Sequence, residues 1–309
     1  MNNNQINDQT KHKAGYVSIL GRPNVGKSTF LNQVLGIKLS ITSPKSQTTR
    51  HRILGIHSSD NFQILFLDTP GMIKPQYLLQ EFMMGSVKTA MEDSDLVLFM
   101  IEASDKLRME DELILDGFKS IKKPILILIN KIDLVKKGRL LPLIQQISET
   151  FESSVIIPIS ALNKDGLEIV VAEIVARLPE SPPYYPPEML TEHPERFIVS
   201  EVIREKIFEF YGEEIPYSTT VVIDEFHEQE GKKDVISAII FVERTSQKGI
   251  LIGKNGVALK KIGESARKDI ESFLQRPVFL KLWVKVKLRW RRDANAIREF
   301  GYGSKLPRK

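Results

Sequence analysis

The chain contains no cysteine in its 309 residues, which excludes disulfide staples, thiolate zinc sites and cysteine nucleophiles. It also lacks any apolar run approaching the ~20 residues that a membrane-spanning helix needs. The first thirteen residues are polar and rich in Asn and Gln, without the apolar centre of a secretion signal. A soluble, cytoplasmic protein with a disordered start over residues 1–13 is therefore expected. Histidine is sparse: His12, His51, His57, His193 and His227 are too scattered to suggest a metal site. What the chain has in excess is positive charge at one end. Its net charge of +5 conceals an uneven spread, with 21 Lys/Arg against 23 Asp/Glu in residues 1–195, 5 against 11 in 196–243, and 18 against 5 in 244–309. A local excess of +13 implies an anionic partner, either nucleic acid or an anionic membrane face; the alternative is a solvated basic surface.

The stretch Gly21-Arg22-Pro23-Asn24-Val25-Gly26-Lys27-Ser28 follows an apolar, strand-like run and precedes a helix-like one. That order is strand, phosphate loop, helix. Glycines at both ends let backbone amides converge on phosphate oxygens at a helix N-terminus, where the helix dipole favours anions. Lys27 would reach the β- and γ-phosphates, and the Ser28 hydroxyl would take a Mg²⁺ position. Further strand-length apolar runs fall at residues 53–57, 63–67, 96–101, 124–129 and 155–159, with helical stretches between most of them. Such nearly continuous runs predict strands buried on both faces, hence an α/β domain with a mostly parallel sheet and its ligand at the carboxyl ends of the strands.

The remaining motifs sit on that same edge. Asp68-Thr69-Pro70-Gly71 closes a strand about forty residues after Lys27. Asp68 there can hold a Mg²⁺-bound water, and the Gly71 amide can meet a γ-phosphate. In the polar loop 43–52, Thr49, favoured over Thr48, can complete the Mg²⁺ shell when a γ-phosphate is present. His51 lies beside this switch. Asn130-Lys131-Ile132-Asp133 ends another strand: the Asp133 carboxylate can accept from guanine N1–H and N2–H₂, a donor pair adenine lacks, while Asn130 and Lys131 brace the loop and the ring. Ser160 and Ala161 follow the last strand, with amides placed to contact guanine O6. A helix is expected over 166–178.

With these motifs in this order, the first domain resembles the translation-factor class of P-loop GTPases. One departure is informative. Where Ras-like members place a water-orienting glutamine after the Asp-x-x-Gly glycine, this chain has Met72, which cannot polarise water. Slow intrinsic hydrolysis is expected. In related GTPases with a hydrophobic residue there, a phosphate-loop asparagine positions K⁺, and Asn24 occupies the matching place.

Residues 179–187 hold five prolines and mark a boundary. A semi-rigid linker over 181–195 is expected to hold a GTPase domain (14–180) apart from a second domain (196–309). There the pattern predicts a helix over 196–211, strands over 217–226 and 234–243, the loop Ile252-Gly253-Lys254-Asn255-Gly256, a basic helix to about 275 and a strand over 278–288. This order, with Gly-x-x-Gly between two helices, resembles an α+β type II KH domain. In that module the loop clamps single-stranded RNA, with Lys254, Lys260, Lys261, Arg267 and Lys268 offering charge to phosphates. In the last strand, Leu280, Leu282, Val284, Val286 and Leu288 are expected to face the core. Trp283, on the opposite face, is expected to pack under another helix, with base stacking as the lesser alternative. Trp290, Arg291, Arg292 and residues 305–309 read as a basic tail.

Taken over the whole chain, GTPase domain, proline linker and KH domain resemble the Era family, and the runs Gln47-Thr48-Thr49-Arg50-His51-Arg52 and Leu282-Trp283-Val284-Lys285-Val286-Lys287 match it closely. The resemblance implies a monomeric bacterial GTPase that uses Mg²⁺, binds GTP and GDP, and contacts single-stranded rRNA near the 3′ end of the small-subunit RNA during assembly of that subunit. It also implies peripheral association with the cytoplasmic face of the inner membrane. The alternatives are a membrane-surface regulatory GTPase and a small-molecule kinase using the same phosphate loop.

Overall fold

The computed structural model describes residues 12–151 and 155–303. Of the disordered start expected over residues 1–13, residues 1–11 lie outside the described residues, as do the basic residues 305–309; residues 12 and 13 are ordered, since His12 bonds to the Ser181 carbonyl and Lys13 pairs with Phe62 and donates to the Val175 and Ala176 carbonyls.

The first half runs β1 (Lys13–Leu20), α1 (Lys27–Leu35), β2 (Ile53–Ser58), β3 (Phe62–Asp68), α2 (Leu78–Asp93), β4 (Leu96–Glu102), α3 (Met109–Phe118), β5 (Ile125–Asn130), α4 (Leu140–Thr150), β6 (Val155–Pro158) and α5 (Leu167–Arg177). The six strands form one sheet in the order β2-β3-β1-β4-β5-β6. Only the β2–β3 pair is antiparallel. The central strands β4 and β5 are buried along almost their whole length, which explains their uninterrupted Leu/Ile/Val/Phe content.

The second half runs α6 (Glu195–Phe210), α7 (Ile215–Ser218), β7 (Thr220–His227), β8 (Asp234–Val242), α8 (Thr245–Ile252), α9 (Val257–Leu274), β9 (Val278–Val286) and α10 (Ala294–Glu299). Its sheet has the order β7-β8-β9, with β7 antiparallel and β9 parallel to β8. Helix α9 buries Ile262, Ala266, Ile270 and Leu274, one residue per turn of a single stripe.

Four expectations need correction. The strand expected from residue 217 starts at Thr220, because Pro216 opens the helical turn α7, where its fixed φ and missing N–H cost nothing. Leu288 does not face the core but is 74 % exposed. The strand stops at Val286, and Arg289, at φ 50°, turns the chain away. Trp290 and Arg291 are no free tail: Trp290 is fully buried, and Arg291 pairs with Glu243 at 2.5 Å. The Asp293 carboxylate then caps α10, a helix the sequence reading overlooked, by accepting from the amides of Asn295 and Ala296.

The fourth correction concerns the linker. Its prolines do keep it extended, yet it lies along the outer edge of β2 instead of spanning open solvent. The Gln63 side chain accepts from the amides of Tyr184 and Tyr185 and donates to the Tyr185 carbonyl. The Ile56 amide donates to the Leu190 carbonyl, and Thr191 Oγ1 donates to that of Leu54. An edge strand presents unpaired backbone groups, and the linker covers them. The two halves are not held apart: a single buried apolar cluster runs from Val17 and Phe30 to Ile203 and Ile270.

Candidate functional site

The loop between β1 and α1 owes its shape to glycines at two left-handed positions. Gly21 has φ 146°, and a Cβ there would lie 2.2 Å from the Met100 carbonyl; Gly26 has φ 103°, and a Cβ would lie 2.1 Å from Asn130 Nδ2. No other residue fits either place. Gly71 approaches so closely that a Cβ would sit 2.6 Å from the Pro23 nitrogen, while the Met72 amide donates to the Gly21 carbonyl. Thus the Asp68–Gly71 turn and the phosphate loop form one wall.

Lys27 is 6 % exposed, and its ammonium donates to the carbonyls of Gly21 (3.1 Å) and Arg22 (2.9 Å). Burial pulls its pKa down to about 8 despite the opposing pull of Asp68. Beside it the three candidate metal positions meet. Ser28 Oγ donates to Asp68 Oδ2 at 2.7 Å and lies 2.9 Å from Thr49 Oγ1. Thr48, by contrast, turns its hydroxyl to the Lys45 carbonyl. Asp68 is fully buried, with its pKa raised by that burial, and its Oδ1 has no hydrogen-bond partner. A buried carboxylate oxygen without a partner, next to two hydroxyls, is an all-oxygen donor set of the kind Mg²⁺ prefers, so these residues fit that ion. Ser40, not anticipated from sequence, also donates to Asp68 Oδ2. Thr69 instead pins β3 to β1 through the Ile19 carbonyl. Asn24, at φ 65°, is exposed and donates to the Pro44 carbonyl, tying the phosphate loop to the 43–52 loop. Together these segments line a cleft of about 690 Å³.

Against Gly26, Asn130 is buried and bridges two loops, donating to the Val25 carbonyl (2.7 Å) and accepting from the Ala161 amide (2.9 Å). Lys131, at φ 68°, pairs with Glu102 at 2.7 Å. Ile132 packs against the sheet core. Asp133 is exposed, oriented by the Ser160 hydroxyl, which donates to its Oδ1 at 2.6 Å. The Ser160 and Ala161 amides already donate to Asp165 and Asn130, so the open contact expected of them with a base oxygen is not there. Arg22 lines the cleft and pairs through its guanidinium with Asp111 on α3, at 2.8 Å. Glu102 and Asp111 carry no local signal in the sequence, since each acts only through a lysine or arginine distant along the chain.

In the second half, Gly253 closes α8 at φ 69°, where a Cβ would meet Ala258 at 2.7 Å, and Asn255 and Gly256 follow at φ 52° and 77°. Lys254 and Asn255 are exposed at the tip, and Ile252 is half-buried. At 100° per residue the α9 cations divide: Lys260 and Arg267 share one flank, Lys261 and Lys268 another. The Lys261 ammonium lies 4.6 Å from the Phe210 ring centre.

Residues 16–131 match the family model described as a 50S ribosome-binding GTPase, and residues 214–291 match that of the KH domain. A crystal structure of a point variant of Aquifex aeolicus Era bound to GDP·AlF4⁻ is 43 % identical, with a TM-score of 0.91 over 94 % of this chain and all of that one. A structure of Era with MgGDPNP and nucleotides 1506–1542 of 16S ribosomal RNA matches at 43 % identity and TM-score 0.91, over 95 % of this chain and all of that one. The chain belongs to the Era family. It is a GTPase with a mostly parallel α/β domain followed by a KH domain.

The Era-family architecture here has a joint that the motifs do not announce. Lys45 Nζ donates to the carbonyls of Phe208 and Tyr211, both at 2.5 Å, at the end of α6. The Arg50 guanidinium, 3 % exposed, donates to the carbonyls of Thr219 (2.6 Å), Pro216 (2.9 Å) and Tyr217 (3.0 Å), at the end of α7. Cations are favoured at helix C-termini, where carbonyls lack intrahelical partners. The Thr42 amide donates to Glu205, and Lys38 pairs with Glu205 and Asp269. His51 stacks on Tyr302 at 4.4 Å. The loop that carries Thr49 is therefore bolted at both ends to the KH half.

Proposed function

We propose that this chain is a GTP-hydrolysing switch that binds single-stranded small-subunit ribosomal RNA through its KH domain during assembly of the 30S subunit. The observation that carries the reading is the meeting of Lys27, Ser28, Thr49 and Asp68 beside a cleft that Lys131 also lines, with Asn130 tying the phosphate loop to Ala161 and Ser160 orienting Asp133. Lys27, drawn off its carbonyl partners by β- and γ-phosphates, supplies positive charge, with the amides of the 21–28 loop and Gly71 around it. Ser28, Thr49 and Asp68 would hold Mg²⁺, which neutralises charge on the phosphates. Asp133 reads guanine through its carboxylate, with Ser160 fixing the rotamer.

Met72 leaves the attacking water without a side-chain orienter, so intrinsic turnover is slow; Asn24 would hold K⁺ through its side-chain oxygen, and the ion would supply additional positive charge. RNA is gripped at Ile252–Gly256, with Lys254, Lys260, Lys261, Arg267 and Lys268 on phosphates. The Thr49 loop transmits the nucleotide state to this half through Lys45 and Arg50, directly and not through the proline linker. The protein acts as a cytoplasmic monomer, with its basic end offering a peripheral contact to the inner membrane.

The test pairs two measurements on the purified chain. GTP is hydrolysed in preference to ATP, and an RNA ending in the 16S 3′ sequence binds more tightly than an unrelated RNA of equal length. Equal use of ATP, or equal affinity for both RNAs, would refute the reading.

A further inference from the structure

The three-stranded sheet has two faces of different character. On the inner face of β9, Val278 and Val284 are buried, and Leu282 lies beneath Gly263 of α9. The outer face carries Phe279, Lys281, Trp283 and Lys285, all exposed, with Phe279 at 51 % and Trp283 at 59 %. Helix α10 and Trp290 belong to a cluster that covers Phe241 and Val222 on this face and leaves the Phe279–Trp283 end open. Strand β9 is also the edge of its sheet.

Edge protection explains lysines but not a pair of half-exposed large aromatics between them. The alternation of rings and cations is already coupled, since the Lys281 ammonium lies 5.5 Å from the Phe279 ring centre. From residue 278 to 292 the sequence holds six basic residues and no acidic one. On the same sheet face the acidic Glu225 sits away on β7, opposite Ser237, which in turn faces Lys281. Aromatic faces spaced between lysines along an extended strand suit a single-stranded polyanion whose bases can stack.

We propose that the outer face of β9 is a second single-stranded RNA contact, separate from the Gly253–Gly256 loop. One base stacks on Trp283 and another on Phe279, while Lys281 and Lys285 meet the phosphates. The rings are four strand residues apart, ~13 Å, or about two extended nucleotides. The proposal rests on the reading of this chain as an RNA-binding protein, and the test separates the two.

The chain has two tryptophans, and Trp290 is fully buried, donating to the Ser218 carbonyl. Emission changes on adding RNA therefore report on Trp283. The full-length protein is titrated with single-stranded RNAs of 6 and 30 nucleotides. The 30-mer should quench Trp283 and shield it from acrylamide. Trp283→Ala should weaken 30-mer binding about ten-fold and leave the 6-mer unchanged, and Trp283→Phe, which keeps a stacking ring, should recover most of the loss. Lys281→Gln with Lys285→Gln should lower the slope of log affinity against log salt by about 1.4. Tight binding of the 30-mer with no change in tryptophan emission, and unchanged affinity in Trp283→Ala, would overturn this proposal and leave the general RNA reading standing. Failure of wild-type protein to bind either RNA would remove both. Phosphatidylglycerol vesicles that shield Trp283 where RNA does not would assign the face to a membrane and overturn the proposal.

Discussion

Replacing Arg50 by alanine should uncouple the nucleotide from the RNA without weakening either ligand's own site. Arg50 follows Thr49 in the chain, yet its guanidinium spends three hydrogen bonds of 2.6, 2.9 and 3.0 Å on carbonyls of the KH half. It does not line the nucleotide cleft. Each bond from a charged donor contributes roughly 1.5–3 kcal/mol, and the three are not additive, because the carbonyls at the end of α7 regain water when the joint opens. A loss of about 3–4 kcal/mol in docking of the two halves follows. Coupling between two sites amounts to roughly 1–3 kcal/mol, or about 5–150-fold in affinity, so a loss of this size is enough to abolish it. The assay measures RNA affinity of GDP-loaded and GTP-analogue-loaded protein. The ratio of the two should fall to within about two-fold of unity in Arg50→Ala, while GTP affinity stays within about three-fold of wild type. Arg50→Lys, lacking the planar fork, should fall between. An unchanged affinity ratio in Arg50→Ala, in protein that melts as a folded species, would refute the reasoning.

Asp133→Asn presents an amide donor to a guanine donor, so GTP affinity should drop at least ~100-fold, and xanthosine triphosphate, with a carbonyl in place of the amine, should be preferred in a competition assay. Lys27→Ala should reduce GTP turnover by about 100-fold or more in a phosphate-release assay, with the melting temperature held or raised, because a buried ammonium is removed. Turnover should rise several-fold in KCl over NaCl at matched ionic strength, and Asn24→Ala should remove that difference. The rings of His51 and His193, stacked on Tyr302 and Phe197, are both held neutral by burial, with pKa values of about 4. Below about pH 6.5 the unfolded chain binds protons these rings refuse, so stability is full above that pH and is lost as pH falls toward about 4. At about 1.4 kcal/mol per unit the loss is at most about 3.5 kcal/mol per ring, less to the extent that both keep some solvent contact, and His51→Phe should flatten this part of a chemical-denaturation pH profile.

The first domain was legible because each of its motifs is a local consequence of a local need. Gly21 and Gly26 are forced by backbone approach, β4 and β5 by burial on two sides, and Asp68 and Asn130 by their place at strand ends. The KH half was legible more coarsely. The alternation in β9 identifies two faces, but whether the outer one is covered depends on where α10 packs, and Trp283 was accordingly expected under a helix while the structure leaves it exposed.

The joint between the halves could not be read in this way, and the reason is physical. Arg50 and Lys45 act on backbone carbonyls, an acceptor that every residue provides, so nothing at residues 208, 211, 216, 217 or 219 betrays a partner. The usual inference from a polar, non-periodic run such as 43–52 is a solvated loop, yet Thr48, Thr49 and Arg50 are all under 9 % exposed. A loop whose charged residues cap helices of another domain has exchanged solvent freedom for two defined anchor points. Movement of Thr49 by a phosphate a few ångströms away must then either be absorbed in the backbone between Lys45 and Arg50 or be passed to α6 and α7. Only four residues lie between those anchors along the chain, too few to absorb much, so the displacement is carried into the KH half.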